Sequence, residues 1–196
     1  MLVTTTSLEM LTAPPHPPRP VPDGVRLDRA PDVPPEFARF LYGLVGGPWR
    51  WTDRLGWSRQ QWLDELQVPG TEHWVAYGEG VPLGYVQLQP QALAHSAQVE
   101  IRYFGLAEPA IGQGIGGRLL EHAVAAAWSL PERADATAPI PRIRRVWVHT
   151  CSLDGPAALD NYRARGFVVF DVTTAEEDVP AEPLGAWAAT GGPAVR

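Results

Sequence analysis

The residues best suited to chemistry crowd between Gln98 and Leu120. Gln98-Val99-Glu100-Ile101-Arg102-Tyr103-Phe104-Gly105-Leu106 has the β-branched and aromatic content of a strand. After Ala107 to Ala110 comes Ile111-Gly112-Gln113-Gly114-Ile115-Gly116-Gly117-Arg118, a glycine-rich turn that runs into the helical period Ile115, Leu119, Leu120, Ala123, Val124. A helix start offers N–H groups without intrahelical partners at the positive end of the macrodipole. Glycines let a diphosphate approach that backbone with no Cβ in the way. The spacing therefore predicts an anion site.

Three phosphate chemistries compete for it. A P-loop needs a lysine after its glycines, and this chain has none: all sixteen basic residues are arginine. The dinucleotide fingerprint G-x-G-x-x-G is met by Gly112, Gly114 and Gly117, but it should be followed about 20 positions on by an acidic residue at the end of the next strand. Glu132 and Asp135 instead fall in the polar, proline-punctuated loop from Pro131 to Pro141. The third reading covers more of the chain. The segment resembles motif A of the GNAT N-acetyltransferase superfamily, whose pyrophosphate loop reads [Q/R]-x-x-G-x-[G/A]. Gly114 and Gly116 fill the glycine places, and Ile111 stands where the family usually has Gln or Arg. Glu100-Ile101-Arg102-Tyr103 resembles the Glu-Ile-x-[Phe/Tyr] strand of the histone-acetyltransferase branch, eleven residues ahead of Ile111. Tyr162-x-x-x-Gly166-Phe167 is similar to the end of motif B, with Ala158 at its usual alanine and Gly155 where an asparagine is common.

The resemblance implies acetyl-CoA as co-substrate and no metal. It places the cofactor against Phe104, Leu106, Ile111, Gly112, Gln113, Gly114, Ile115, Gly116, Gly117 and Arg118. Glu100 becomes the base that takes the amine's proton, and Tyr162 the acid that protonates the departing thiolate. Trp49, Trp51 and Asp53 become the acceptor wall. Four tryptophans stand between Trp49 and Trp62, and they serve equally well as caps on a small core. The implied function is acetyl transfer to a primary amine of a small molecule or peptide by direct attack on the thioester. The alternative is a non-catalytic acyl-CoA-binding or regulatory module on the same scaffold. His149 and Cys151, two apart, share a strand face, yet nothing else supports a cysteine nucleophile. His73, His95 and His122 lack metal-ligand spacing with acidic partners.

These residues need a scaffold. At 196 residues and 45% apolar, the chain suits one core-bearing domain over 23–172, preceded by a strand and Pro-rich arm (1–22) and followed by an acidic Ala/Pro/Gly-rich tail (173–196). Strands are expected at 2–11, 25–27, 74–77, 82–88, 98–106, 145–150 and 167–170, with helices opening at Pro34, near Trp62, at Ile115 and over 156–165. The implied fold is α/β (α+β): a mixed, mostly antiparallel sheet flanked by helices, with the 98–106 and 145–150 strands as a splayed parallel pair. Glu100, Arg102 and Phe104 should alternate onto one strand face, and the tail beyond 171 should find little to pack against. A net charge of −6 with scattered arginines argues against nucleic acid. One cysteine excludes an internal disulfide. With no long apolar run and no secretion signal, no membrane partner is expected, and the protein reads as cytoplasmic, a monomer or homodimer.

Overall fold

In the computed structural model, which describes residues 1–192, the chain builds a seven-stranded sheet. Strand β1 is Leu2–Met10, β2 Val25–Ala30, β3 Glu72–Gly78, β4 Val81–Ala92, β5 Ala97–Leu106, β6 Ile143–Cys151 and β7 Val168–Glu176. The spatial order is β2-β3-β4-β5-β6-β1-β7. Every neighbouring pair is antiparallel except β5–β6, which is parallel because helix α3 (Ile115–Trp128) connects them. The expected mixed, mostly antiparallel sheet with one parallel pair is what forms.

Local chemistry explains the elements. Helix α1 (Pro35–Gly46) starts on proline with Glu36 in its first turn, and its inward stripe is Ala38, Leu41, Tyr42 and Val45. Helix α2 (Arg59–Leu66) opens with a capping box, Ser58 accepting from the Gln61 amide while the Gln61 side chain accepts from the Ser58 amide. The β3–β4 hairpin turns at Glu79 and Gly80, both with positive φ (51° and 85°). One face of the sheet buries Val86, Leu88, Val99, Ile101, Val146 and Val148 against Leu119, Leu120, Ala123 and Val124 of α3 and Tyr162 of the short helix α4 (Ala158–Arg163). The other face buries Val75, Tyr85 and Tyr103 against the α1 stripe and Trp62 of α2.

The expected N-terminal strand forms, but both chain ends join the fold rather than flank it. β1 is wedged between β6 and β7, so the arm after it must reach the opposite sheet edge, five strand spacings away or about 24 Å. Residues 11–24 in polyproline form span about 43 Å, enough to pass outside α3, where the arm is held. The Arg19 amide donates to Glu121 Oε2 (3.1 Å), the Arg19 Nε donates to Glu121 Oε2 (3.0 Å), and His122 Nε2 donates to the Arg19 carbonyl (3.1 Å). The tail, expected to pack little, continues β7 to Glu176 and then folds as α5 (Gly185–Ala189) onto α1. A Cβ at Gly43 would lie 2.6 Å from the Ala189 carbonyl oxygen, so that glycine lets the two helices touch backbone to backbone. The final residues of the tail, 193–196, lie outside the described residues. No helix among the described residues is long and apolar enough to cross a membrane.

Candidate active site

The parallel β5–β6 pairing lasts only from Ala97 to Glu100 on one strand and Ile143 to Trp147 on the other. Beyond that point β6 follows β1, while β5 follows β4 through a bulge at Arg102, and the two strands part. A cavity of about 760 Å³ fills the opening.

On one side lies the glycine turn, with Ile111, Gly112, Gly116 and Gly117 in the wall. Gly112 (φ 83°) and Gly114 (φ 75°) adopt the left-handed conformation that other residues resist. Gly114 takes the N-cap place of α3 and no side chain caps it, so the first-turn amides stay open to an anion. Gln113 folds back to donate to the Pro109 carbonyl (2.8 Å), and Ile111 is half exposed. The Arg165 guanidinium lies against Gly117, where any side chain would strike it. Arg118 (4.0 Å) and Arg165 (3.6 Å) both approach Glu121, so with Arg19 three arginines surround one carboxylate beside the turn.

Tyr162 lines the cavity with its ring set between Phe104 (5.9 Å) and Phe167 (6.0 Å). Burial, with the Asp154 charge adding to it, pushes its phenol well above the usual tyrosine range. Phe104 thus faces α3 and α4, which corrects the expected alternation. The bulge inserts one residue, so Glu100 and Arg102 face the α2 side while Phe104 faces the opposite one. Arg102 Nε donates to Glu65 on α2 (3.0 Å) and Arg102 Nη1 donates to Glu100 Oε1 (3.3 Å). Glu100 is 2% exposed, its Oε2 accepts from Gln91 (3.3 Å), and the wall in front of it is made by Arg102 and His149.

Trp49, Trp51 and Asp53 line the far wall together. Trp51 Nε1 donates to Asp154 (3.2 Å), and its ring lies 5.4 Å from Tyr42 and 6.0 Å from Tyr103. Asp53 accepts from the Tyr42 hydroxyl and pairs with Arg54, whose guanidinium covers the rings of Trp57 and Tyr103. The tryptophans therefore divide the two roles: Trp57 and Trp62 belong to the core, Trp49 to the cavity wall and Trp51 to both. Trp49 also explains Gly155, since a Cβ there would sit 3.3 Å from the indole.

Sequence reasoning missed several wall residues. Asp154 is fixed by three donors, the Thr150 hydroxyl (2.7 Å), the Cys151 amide (3.0 Å) and Trp51. Glu177, Asp178 and Val179 of the tail also line the cavity, and Arg50 fixes this strap by donating to the carbonyls of Pro180 (3.0 Å) and Ala181 (2.7 Å). Their signal, acidic residues after a strand, has no motif. Among the described residues, no group of three His, Cys, Asp or Glu side chains is placed to hold a metal ion.

Known proteins share this fold. A probable N-acetyltransferase of Mycobacterium tuberculosis is 29% identical over 85 residues, 43% of this chain and 45% of the relative, so the match spans less than half of that protein. Two solved structures share the fold at low identity. The GCN5-related N-acetyltransferase from Sphaerobacter thermophilus aligns with a TM-score of 0.55 at 18% identity, over 87% of this chain and 50% of the other. An aminoglycoside acetyltransferase from an uncultured soil metagenomic sample, solved with sisomicin, aligns at 0.56 and 17% identity, over 74% of this chain and 88% of the other. The model of the acetyltransferase (GNAT) family matches residues 36–167, from the start of α1 through the glycine turn and Tyr162, and the chain belongs to that family.

Proposed function

We propose that this protein is an acetyl-CoA-dependent N-acetyltransferase that acetylates a primary amine of a small molecule or peptide by direct attack on the thioester. One observation carries the reading: an uncapped, glycine-cradled helix start and a buried tyrosine border the single opening where β5 and β6 part. When bound, the co-substrate supplies the activated acetyl group. The amides at the start of α3 suit its pyrophosphate, with Arg118 and Arg165 adding positive charge. Past Glu100 the cleft-facing edge of β5 has no strand partner, so backbone groups around Phe104 to Leu106 are free to hold the pantetheine arm and polarise the acyl oxygen. Tyr162 arrives protonated and can give its proton to the leaving sulfur. The proton shed by the amine goes towards Glu100, which reaches the cavity only past Arg102 and His149. Trp49, Trp51 and Asp53, together with Glu177 and Asp178 in the same cavity wall, suit a protonated amine on an apolar stem.

Gly116 gives the test. A side chain there meets only Leu106 at ordinary contact distance (3.5 Å), so Gly116→Asp should fold while setting a carboxylate in the anion site. Calorimetry should show acetyl-CoA binding weakened at least about tenfold, or about 1.4 kcal/mol. Unchanged affinity in the folded variant would remove the reading. Thiol release with a panel of amines, polyamino sugars included because an aminoglycoside acetyltransferase shares this fold, separates an enzyme from a binding module.

A further inference from the structure

We infer that His149 is the catalytic base and that Glu100 is a positioning residue acting through it. The inference rests on the acetyl-transfer reading and adds the group that meets the acceptor. Glu100 lies behind the wall, with one oxygen bonded to Gln91 and the other to Arg102. His149 stands two residues past Trp147, where the parallel ladder ends, so it is the first residue on that face of β6 to enter the opening. Its side chain is 46% exposed, against 2% for Glu100, and it lines the cavity. His149 Nδ1 lies 3.7 Å from Glu100 Oε1, an ion-pair distance that a small shift converts to a hydrogen bond. The carboxylate thus favours the proton on Nδ1 and leaves the Nε2 lone pair for the cavity.

The charges around the imidazole fit this role. Behind it, Glu100, Arg102 and Glu65 form an ion-paired trio with one excess negative charge, Glu100 buried and the other two partly so. Glu177 and Asp178 of the strap line the same cavity as the imidazole and draw a cation into it. From β1, its register partner Ser7 and the wall residue Thr5 are neutral. On its own strand, the Trp147 ring lies tilted at 6.1 Å, and burial pushes the Cys151 thiol up, which keeps that group neutral as well. Asp154 is already satisfied by its three donors, and Arg50 by the strap carbonyls.

The step balances as follows. An ammonium acceptor gives one proton to Nε2, directly or through one water, and His149 releases it to solvent. The freed nitrogen pair forms the C–N bond to the acetyl carbon, and the C–S pair leaves on sulfur. Sulfur takes a proton from the Tyr162 hydroxyl, and the second proton lost by nitrogen restores the tyrosine through solvent.

Two independent measurements test the pair on the full chain. In ¹⁵N spectra of the ligand-free protein with His149 neutral, the Nδ1–H tautomer should dominate, and Glu100→Gln should return the ring to the Nε2–H form usual for free imidazole. A wild-type ring without that preference, or one indifferent to Glu100→Gln, overturns the pairing. In turnover with an amine found by the panel, His149→Ala should cut kcat by about 10²- to 10⁴-fold and remove the acidic limb of kcat/KM. Acetyl-CoA affinity should hold, and added imidazole should restore part of the rate. Glu100→Gln should cost less, and the double variant no more than His149→Ala alone. Should His149→Ala keep its rate and acidic limb, His149 is not the base; if Glu100→Gln loses both in the same assay, the glutamate takes the proton itself. Failure of the wild type to bind acetyl-CoA would defeat the acetyl-transfer reading instead, while the ¹⁵N result still decides the pair.

Discussion

Tyr162 shows how one environment suits the proposed role of proton donor. Aromatic rings on both sides fix its orientation, and burial holds its phenol protonated at neutral pH and well above it. A proton donor needs both. Tyr162→Phe keeps the ring stack, so acetyl-CoA affinity should be unchanged while kcat falls by about 10²- to 10⁴-fold, as expected when only a transition-state contact is lost. Wild-type turnover in the variant would assign the tyrosine to packing. Because the shift is upward, any basic limb of the pH profile near neutrality should persist in that variant. The glycine turn and the tyrosine were legible in the sequence, since their chemistry demands particular residue types at particular spacings. The facing of Phe104 relative to Glu100 was not. Strand alternation has period two, and a single bulged residue reverses it for everything downstream. No residue type between Ile101 and Phe104 announces such an insertion.

The elements divide in the same way. α1 and α3 carry their own apolar stripes, and α2 its capping box, so the sequence of each predicts it. α5 has five residues of mostly glycine and alanine, and its place is written elsewhere, in Gly43 of α1 and Gly47 just after it, which let its backbone approach. The arm is attached by a contact that titrates. Hydrogen bonds from Arg19 hold the Glu121 carboxyl down to about 2, below the value of about 4.3 for an unfolded glutamate. The contact therefore contributes its full stability above about pH 4.3 and loses it as pH falls towards about 2. Arg19 is largely exposed, so the effect is small and screened by salt. Arg19→Ala should lower the urea midpoint slightly at neutral pH and low salt, and the difference should shrink sharply by pH 2 and also in 1 M salt. A difference that survived both conditions would mean that the prolines themselves hold the arm to α3.

The sheet as a whole depends on β1, whose partners on both sides come from the last third of the chain. Leu8 is fully buried in the main core, so Leu8→Ala should cost about 2 to 5 kcal/mol, read as a lower urea midpoint. A cost below about 1 kcal/mol would show that the wedge adds little to the core. The wedge itself was illegible in the sequence, because a strand's pattern states which face is buried and not which strand lies beside it. During synthesis this placement has a cost in time. β1 emerges more than 130 residues ahead of β6, a wait on the order of 10 s at ribosomal speed. Throughout that wait it is an unpaired strand with two open edges. Its centre, Thr4-Thr5-Thr6-Ser7, is extended by β-branching yet carries a hydroxyl on every residue. Such a strand can wait in water without seeking another like itself, and then close the sheet when β6 and β7 arrive.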